Sequence, residues 1–373
     1  MNIAVNTRLL IKDKLDGIGW FSYETLKRIT QNHPEHKFYF IFDRPFDSDF
    51  IFSNNIEPVI ASPQARHPIL WYLFFEYGIT KALKKTNADI FISPDGWLSL
   101  RTNVPSLTVI HDLNFNHFPE FIPWHVRKYY YTFFPKFALK AKRIATVSEY
   151  TKNDISKTYK IDKSKIDVVY NGANINYLPI SEDKKKLIQD KYTNGKQYFL
   201  FIGTIHPRKN LKNLLLAFDK YKLTTNNDIK LLVVGSKKWW PNDLDKAYNN
   251  MRFKTDVIFF GRASESQLKD IIPSALALTY PSFFEGFGIP ILEAFYSGIP
   301  VLTSASSSMP EVGGDAAIYV NPSSVDSILN GLIKISLNNN LRKKLIQKGF
   351  EQKNKFSWDK SAKKLWNSIE RVF

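Results

Sequence analysis

The sequence predicts two α/β domains, each a doubly wound parallel sheet covered by helices. Short apolar runs recur along the chain, and longer amphipathic segments separate them. Their hydrophobicity is continuous rather than alternating, which is typical of parallel strands buried on both faces. Ligands of such sheets bind beyond the carboxyl ends of the strands, so the residues that follow each run are candidates for the functional site.

The predicted strands of the first domain are NIAVN, KFYFIFD, ADIFISP, LTVIHD, RIATVSE and IDVVYNG. Those of the second are YFLFIGT, KLLVVGS, DVIFFGR, LALTYPS, PVLTS and AIYVN. Asn171-Gly172 and Pro179 end a strand, which places the domain boundary near residue 177. The domains are therefore expected at 1–177 and 178–356.

The segment SWDKSAKKLWNSIERVF, residues 357–373, is predicted to be an amphipathic helix that packs back on the first domain. Ser357 is a suitable N-cap, because its hydroxyl can accept a hydrogen bond from the first helical turn. Apolar residues follow it at the spacing of one helix face.

The composition limits the chemistry and the partners. The chain has 373 residues, 44% of them hydrophobic, no cysteine and a formal net charge of +17. Disulfides, thiolate metal sites and a cysteine nucleophile are therefore excluded. The charge favours polyanionic partners such as nucleic acid, anionic lipid or phosphorylated substrates. The sequence has neither a Cys/His finger nor an RNA-recognition signature, so we expect no nucleic-acid partner.

Neither the start, MNIAVNTRLL, nor any later segment has the pattern of a secretory signal or of a membrane span. A signal needs a basic region before an apolar one, and a membrane span needs roughly 20 apolar residues. We therefore expect a cytoplasmic protein.

The segment SFFEGFGIPILEAF, residues 282–295, sets two glutamates around small and rigid residues. Pro290 suits the first turn of a helix, which leaves Glu285 on the preceding loop and Glu293 near the helix start. The glycines between the acids let the backbone approach a ligand, and the helix start favours an anion such as phosphate. A sugar nucleotide offers both phosphate and hydroxyls. The alternative is a structural strand-turn-helix in which Glu293 only complements the helix dipole.

The segment GTIHPRKNLKNLLLAF follows the first strand of the second domain. It begins at Gly203, a candidate substrate-binding residue. Arg208 and Lys209 stand between a strand end and a helix, where two cations would neutralise a leaving diphosphate. A solvated basic turn is the alternative, but the position in the same domain as the glutamates favours the phosphate role.

The first domain offers further candidates at strand ends. Gly17-Ile18-Gly19 precedes a helix and could admit a phosphate, although a plain turn fits the pattern equally well. His111 follows the strand SLTVI, and a capping or core role is its alternative. Asp112 would orient the imidazole or cap the next loop.

Two stretches raise other partners. The segment FIPWHVRKYYYTFFPKFALKAKR, residues 121–143, interleaves aromatic and basic residues and would suit an anionic membrane surface, or else an ordinary helix pair with an aromatic core face. FDSDF, with Asp47 and Asp49, has the D-x-D spacing of metal-dependent transferases. Because the phosphate features lie in the other half of the chain, we interpret it as a polar loop and expect no metal requirement.

Several segments together resemble the retaining glycosyltransferases of family 4, which have the GT-B fold. They are GTIHPRKNL, YPSFFEGFGIPILEAFYSGIPVLTS, SMPEVGGDAAIYV, VIHDLNFNHFPEF and RIATVSEYTKNDI. The hallmark of that family is a pair of glutamates separated by seven residues, as Glu285 and Glu293 are here. The likeness runs from the first strand to roughly residue 360. It implies two Rossmann-like domains facing across a cleft, the first on the acceptor side and the second binding a nucleotide sugar.

The resemblance also implies roles for individual residues of the second domain. Glu293 would bind the nucleotide ribose, and Glu285 would approach the hydroxyls of the transferred sugar. The diphosphate would be held by Arg208 and Lys209. The amides expected to contact sugar or phosphate are those near Phe287, Gly288 and Ile289.

The resemblance implies further contacts, and at two of these places the chain departs from the residues that are common in the family. The resemblance places His111 beside the reacting sugar and the acceptor, where it could bind a hydroxyl or take the acceptor proton. It supports the phosphate role of Gly17 and Gly19, although many relatives have arginine where this chain has Trp20. FFGRAS matches the loop whose backbone receives the base, and Arg262 stands where many members carry an aromatic or aliphatic residue.

The expected activity is retaining transfer of a hexose from a nucleotide diphosphate sugar to a glycan or lipid-linked acceptor in cell-surface polysaccharide synthesis, without a metal or other cofactor. HDLNFNHFPE resembles mannosyltransferase members, which favours GDP-mannose over a UDP-hexose as donor. Peripheral contact with the inner face of the cell membrane would follow from the basic aromatic segment. The alternatives are a GT-B epimerase or phosphorylase and a non-enzymatic basic nucleotide- or membrane-binding protein. A glycoside hydrolase is disfavoured because the glutamates surround a phosphate-type helix start.

Overall fold

The computed structural model describes residues 1–237 and 240–373 as two α/β units. Unit 1 comprises Met1–Gly172 and Ser357–Phe373, and unit 2 comprises Ala173–Phe356. The division therefore falls at Gly172, whereas the turn residues of the sequence placed it near residue 177. Gly172 packs against Trp358 of unit 1, and this contact keeps the residues before the division in that unit.

Unit 1 contains a seven-stranded sheet. Its strands are β1 (Asn2–Asn6), β2 (Lys37–Phe42), β3 (Ile56–Ile60), β4 (Ile90–Ser93), β5 (Ser106–Ile110), β6 (Arg143–Thr146) and β7 (Ile166–Val168). All paired strands are parallel, and their spatial order is β3-β2-β1-β4-β5-β6-β7. Every residue of β4 and β5 is buried, as their continuous apolar sequences predict. The order reverses next to β1, so the carboxyl ends of β1, β4 and β5 form a continuous edge for ligands.

The helices of unit 1 before the division are α1 (Gly17–Asn32), α2 (Pro68–Leu73), α3 (Thr80–Lys85), α4 (Asn114–His117), α5 (Trp124–Lys140) and α6 (Glu149–Tyr159). A π-helical turn, Phe74–Ile79, joins α2 to α3. The basic aromatic segment forms the single helix α5, which continues through Pro135, rather than a helix pair. It buries Tyr129, Phe134 and Phe137 and exposes Trp124, Tyr131 and Leu139.

Unit 2 contains a six-stranded sheet, again parallel throughout. Its strands are β8 (Tyr198–Ile202), β9 (Lys230–Val234), β10 (Val257–Gly261), β11 (Ala277–Tyr280), β12 (Val301–Ser304) and β13 (Ala317–Val320). Its helices are α7 (Glu182–Thr193), α8 (Leu211–Thr225), α9 (Asn242–Asn249), α10 (Glu265–Ser274), α11 (Ile289–Tyr296), α12 (Met309–Gly313), α13 (Val325–Leu337) and α14 (Asn339–Gln352). The order β10-β9-β8-β11-β12-β13 makes β8 and β11 central neighbours.

The last helix, α15 (Trp358–Glu370), belongs to unit 1. Ser357 caps it by accepting a hydrogen bond from the Lys360 amide at 3.2 Å. Trp366 stacks on His33, the residue that ends α1, with a ring separation of 3.6 Å. A Cβ atom on Gly172 would lie 2.5 Å from the Trp358 nitrogen, so the point where the chain leaves unit 1 touches the point where it returns.

The structure also bears on membrane insertion. Of the helices formed by residues 1–237 and 240–373, none combines the length and the apolar character needed to cross a membrane.

Candidate functional site

Glu285 lies in a buried cluster with the two cations singled out in the sequence. Its Oε2 is 2.7 Å from Arg208 Nη1, and its Oε1 is 2.7 Å from Lys209 Nζ. Lys209 Nζ also donates to the Tyr280 hydroxyl at 2.5 Å. The side chains of Glu285, Arg208 and Lys209 are 8%, 18% and 14% exposed, respectively. The structure therefore brings together the three residues of unit 2 that we named as catalytic candidates.

The topology of the sheet explains why these residues meet. Arg208 and Lys209 lie in a short 3₁₀ turn after β8, and Glu285 lies in the loop after β11. Because β8 and β11 are adjacent and parallel, their carboxyl ends place the turn and the loop side by side. The Phe283 amide donates to the Arg208 carbonyl at 2.9 Å, and the Arg208 guanidinium donates to the Phe284 carbonyl.

The electrostatics of the cluster suit an anionic ligand. Burial alone would raise the pKa of Glu285, but the charges of Arg208 and Lys209 outweigh it and lower the pKa to about 2. The carboxylate is therefore ionised at neutral pH. Burial, followed by the charges of the two cations, lowers the pKa of His206 to about 4, so this imidazole is neutral and accepts from the Arg208 amide at 3.2 Å. One carboxylate faces two cations, which leaves the cluster positive.

Glu293 has the opposite character. It lies on α11, and burial, with a smaller contribution from Glu265, raises the pKa of Glu293 to about 7. Within the described part of the chain, no side chain or backbone group donates a hydrogen bond to its carboxyl group. Gly288 caps the start of this helix with φ at +105°, a conformation that favours glycine. The first turns of α11 therefore carry a carboxyl group without a hydrogen-bond donor among the described residues, close to the turn at Gly288.

A run of serines after β12 holds the glutamate loop in place, and the sequence reasoning did not find it. Ser308 Oγ lies 2.8 and 2.9 Å from the carbonyl oxygens of Glu285 and Phe287, which share its one hydroxyl proton. Ser307 Oγ accepts from the Glu285 amide at 3.0 Å, and Ser306 Oγ donates to the Phe283 carbonyl at 2.9 Å. The available signal was the cluster of hydroxyls in TSASSSM, which begins in the last residues of β12.

The other candidates of unit 2 occupy strand ends or the start of α11. Gly203 directly follows β8, and a Cβ atom there would contact Lys209 Cε at 3.5 Å. Phe287 is buried and packs edge-on against Phe356 with a ring separation of 5.6 Å. Arg262 directly follows β10, an edge strand, and is exposed. Gly288 and Ile289 form the start of α11.

In unit 1, His111 directly follows β5. Its Nε2 lies 2.8 Å from the Pro94 carbonyl, which can only accept, so Nε2 carries the proton and Nδ1 is left as an acceptor. Burial lowers the pKa of His111, so the ring is neutral at neutral pH. Asp112 caps the next loop by accepting from the Asn114 amide at 3.0 Å. The Pro94 carbonyl, rather than Asp112, therefore orients this imidazole.

The glycine pair at the start of α1 is partly occupied by the protein itself. Asp16 caps the helix, and its carboxylate accepts from the Gly19 amide at 3.0 Å. An anion placed at Gly17 and Gly19 would have to compete with this carboxylate. The ring of Phe21 packs edge-on against His111 at 5.0 Å, so this helix start lies near the imidazole.

The D-x-D stretch is engaged by a lysine. Lys12 Nζ lies 2.9 Å from a carboxylate oxygen of both Asp47 and Asp49, and Asp47 also caps a short 3₁₀ turn. Over residues 1–237 and 240–373, no three histidine or acidic side chains are grouped so as to hold a metal ion.

Two Rossmann-like domains with parallel sheets, the second carrying the cationic cluster, define the GT-B class of proteins, which confirms the fold predicted from the sequence. The family model described as "Glycosyltransferase Family 4" matches residues 16–177, and that described as "Glycosyl transferases group 1" matches residues 183–352. The chain belongs to this glycosyltransferase family. The predictions of the family and of an enzyme are confirmed with it.

Individual relatives support the assignment. The chain is 27% identical to O-antigen chain mannosyltransferase B of Escherichia coli over 96% of this chain and 97% of that protein. It is 30% identical to O-antigen chain mannosyltransferase RfbU of Salmonella typhimurium strain LT2, over 72% of this chain and 71% of that protein. The crystal structure of Anabaena Alr3699/HepE in complex with UDP and glucose shares the fold, with a TM-score of 0.78, 13% identity and coverage of 99% of each chain.

Proposed function

We propose that this glycosyltransferase is a retaining mannosyltransferase that acts in the synthesis of a cell-surface polysaccharide. The names of two O-antigen relatives support mannose and the polysaccharide, because the similarity to one of them spans nearly the whole chain. The observation that carries the proposal is the buried contact of Glu285 with Arg208 and Lys209 at the carboxyl ends of β8 and β11. It supplies cations for a diphosphate and an acid for sugar hydroxyls in one place.

In this proposal the donor is a nucleotide diphosphate sugar, either GDP-mannose or a UDP-hexose. Arg208 and Lys209 bind the diphosphate, and the amides at the start of α11 add hydrogen bonds to it. Glu293 accepts hydrogen bonds from the ribose hydroxyls, and Arg262 lies in the loop that receives the base. Cations of the protein neutralise the diphosphate, so the reaction needs no metal.

The proposed chemistry breaks the bond between the anomeric carbon and a diphosphate oxygen. The acceptor hydroxyl oxygen forms the new bond on the same face of the sugar, and an oxocarbenium-like centre lies between the two events. The cations stabilise the charge that develops on the leaving group. Glu285 binds hydroxyls of the transferred sugar rather than attacking, since both its oxygens are paired with cations. We assign His111 to the acceptor and the reacting sugar, where its unprotonated Nδ1 takes the acceptor hydroxyl proton as the new bond forms.

The acceptor is a glycan or a lipid-linked saccharide, and we infer a cytoplasmic enzyme with peripheral contact to an anionic membrane. The exposed Trp124, Tyr131 and Leu139 of α5 support the contact. Not all basic residues of this segment are available for lipid, because Arg143 pairs with Asp167 at 2.7 Å. Sedimentation with vesicles of anionic phospholipid tests the contact, and loss of binding is expected for Trp124→Ser.

The donor is tested by a screen for nucleoside diphosphate release from nucleotide sugars, with and without a saccharide acceptor. We expect release from GDP-mannose to depend on the acceptor. Product formed without any acceptor would instead support an epimerase or a phosphorylase, and no turnover with any donor would support a non-enzymatic binding protein.

Arg208→Ala should weaken the binding of free nucleoside diphosphate at least about tenfold, because one charge-assisted contact is lost. An unchanged affinity by calorimetry would refute the role of Arg208.

A further inference from the structure

A second buried ion pair lies at the strand ends of unit 1. Asp95 follows β4, and its Oδ2 is 2.6 Å from Nε of Arg8, which follows β1. Asp95 Oδ1 accepts from Asn6 Nδ2 at 2.9 Å and from Ser93 Oγ at 3.0 Å. Both oxygens of this carboxylate accept hydrogen bonds from the protein, so Asp95 acts as an anchor.

Arg8 is anchored only at one end. Its side chain is 10% exposed, and its guanidinium carbon lies 4.8 Å from the ring centre of Trp97 and 5.5 Å from that of Phe75. These rings and the Nε contact fix the plane of the guanidinium. Within the part of the chain that the structure describes, nothing accepts a hydrogen bond from its Nη1 or Nη2. The two terminal nitrogens are held in place without a protein partner.

Another arginine at an end of the same sheet, Arg44, binds its aspartate differently from Arg8. Arg44 follows β2 and also pairs with a buried aspartate, Asp43. That pair is bidentate, because Arg44 Nε and Nη2 donate to the two carboxylate oxygens at 2.7 and 2.9 Å. Asp43 thus engages both Nε and one terminal nitrogen of Arg44, whereas Asp95 engages only Nε of Arg8.

Asp95 also links Arg8 to His111. The turn after β4 includes Pro94, whose carbonyl fixes the His111 tautomer, and the Trp97 amide donates to Asp95 Oδ1 at 3.4 Å. Because β1, β4 and β5 are adjacent, one edge of the sheet presents Arg8 donors together with the acceptor Nδ1 of His111. The edge therefore offers both senses of hydrogen bond to a ligand.

We propose that Arg8 binds the hydroxyl oxygens of the acceptor saccharide, and that Asp95 is its positioning residue. The hydroxyls of a saccharide can accept from Arg8 and donate to His111, whereas a phosphate group without a P–OH proton, such as a phosphodiester, can only accept. The charge also favours a neutral ligand, since Asp95 already balances Arg8 and Asp112 follows His111. The identity of the saccharide as the acceptor rests on the proposed function.

Binding of octyl α-mannoside and of other octyl hexosides to the full chain tests the proposal by saturation-transfer NMR. Arg8→Met should weaken hexoside binding at least about tenfold, since two or more hydrogen bonds to a cation are lost. Arg8→Lys keeps the charge for Asp95 but not the planar fork. Arg8→Lys should fold and should bind hexosides more weakly than the wild type does. This variant therefore tests the proposal even if Arg8→Met fails to fold. Arg44→Met is the matched control, and its hexoside affinity should equal that of the wild type.

Steady-state kinetics distinguish a role of Arg8 in acceptor binding from a role in stability alone. In Arg8→Lys the KM for the hexoside acceptor should rise at least about tenfold, while the affinity for nucleoside diphosphate, measured by calorimetry, stays at the wild-type value. Unchanged hexoside affinity in both Arg8 variants overturns the proposal, as does a wild-type protein that binds no hexoside. Competition by inorganic phosphate that disappears in Arg8→Met overturns the saccharide assignment. Hexoside binding that depends on Arg8 in a protein without nucleotide affinity supports this site while refuting the proposed function.

Discussion

Glu285 and Glu293 carry the same functional group, yet their surroundings give them opposite acid strengths. Two cations lower the pKa of Glu285 to about 2, whereas burial raises the pKa of Glu293 to about 7. At neutral pH the first carboxylate is permanently ionised, and the second exchanges its proton readily. The two acids of one motif therefore respond differently to substitution and to pH.

Replacement of the first acid, Glu285→Gln, keeps the shape of the side chain and removes its charge. We expect hexose transfer to fall at least about 100-fold, as when one preorganised polar group of an active site is lost. Binding of free nucleoside diphosphate should be retained or become tighter, because Arg208 and Lys209 lose the carboxylate that competes with a phosphate. Steady-state kinetics and calorimetry measure the two effects. Wild-type activity in Glu285→Gln would sink the role of this residue, and the exposed Glu182→Gln serves as control.

The pH dependence of nucleotide binding belongs to the second acid. A carboxyl group with a pKa of about 7 is mostly ionised at pH 8 and mostly protonated at pH 6, and the ionised form is the better acceptor for ribose hydroxyls. The affinity for nucleoside diphosphate should therefore fall about tenfold from pH 8 to pH 6. Glu293→Gln should lose this part of the dependence while keeping any part due to the phosphate itself. Equal pH profiles for the two proteins would contradict the assignment.

At the scale of residues, the sequence indicates groups whose charge or flexibility is unusual for their position. Arg208 and Lys209 could be selected because they stand between a strand end and a helix, and Glu285 because its loop is rich in glycine and precedes a helix start. The structure shows the three residues in contact. Arg8 and Asp95 were not selected, although Asp95 also stands at a strand end, between Pro94 and Gly96. Their relation depends on the adjacency of β1 and β4, strands that are far apart in the sequence.

The loop between β11 and α11 is the element that positions Glu285 beside Arg208 and Lys209. Its backbone is bound on one side by Arg208 and on the other by the serines after β12. Because three consecutive strand ends contribute to it, the position of Glu285 does not depend on the loop sequence alone.

Removal of one hydroxyl of this support, in Ser308→Ala, tests the element. The carbonyls of Glu285 and Phe287 would lose the one hydroxyl proton that they share, at a cost of about 1 kcal/mol. We expect a lower midpoint of urea unfolding for unit 2 and a transfer rate at least about tenfold lower. The exposed Ser323→Ala is the matched control. If Ser308→Ala leaves both stability and transfer rate unchanged, the serine support has no functional part.

The elements that the sequence predicts well are the buried central strands. Every predicted apolar run forms a strand, but β3 was missed because its sequence, IEPVI, is neither continuously apolar nor regularly alternating. It is an edge strand with several exposed residues, and Pro58 provides no N–H group to the ladder. Periodicity indicates burial, so an element that is only half covered leaves a weak pattern.

For the whole molecule, the sequence can indicate two units, but it does not indicate which long-range contacts hold each unit together. The turn at Asn171-Gly172 is visible as a glycine signal, whereas the fit of Gly172 against Trp358 requires the fold. The amphipathic pattern of 357–373 predicts a helix with a face to cover, and the structure identifies the partner surface on α1. Long-range partners of this kind are set by topology and not by local propensity.

A chain that stops after Phe356 tests the division into units. It lacks α15, so unit 1 loses the cover of apolar residues on α1, whereas unit 2 keeps all of its own elements. We expect limited proteolysis to degrade unit 1 faster than in the full chain. Calorimetry should still detect nucleoside diphosphate binding, with an affinity within about threefold of the full chain. Equal protease resistance of unit 1 in both chains would contradict the importance of α15.

The contact between Gly172 and Trp358 also has a consequence for biosynthesis. A ribosome makes residues 1–172 first, but the helix that completes their unit is made only after all of residues 173–356. Unit 1 therefore stays incomplete throughout the synthesis of unit 2. During that time α1 lacks the cover of α15, so unit 1 is the one that needs protection during translation.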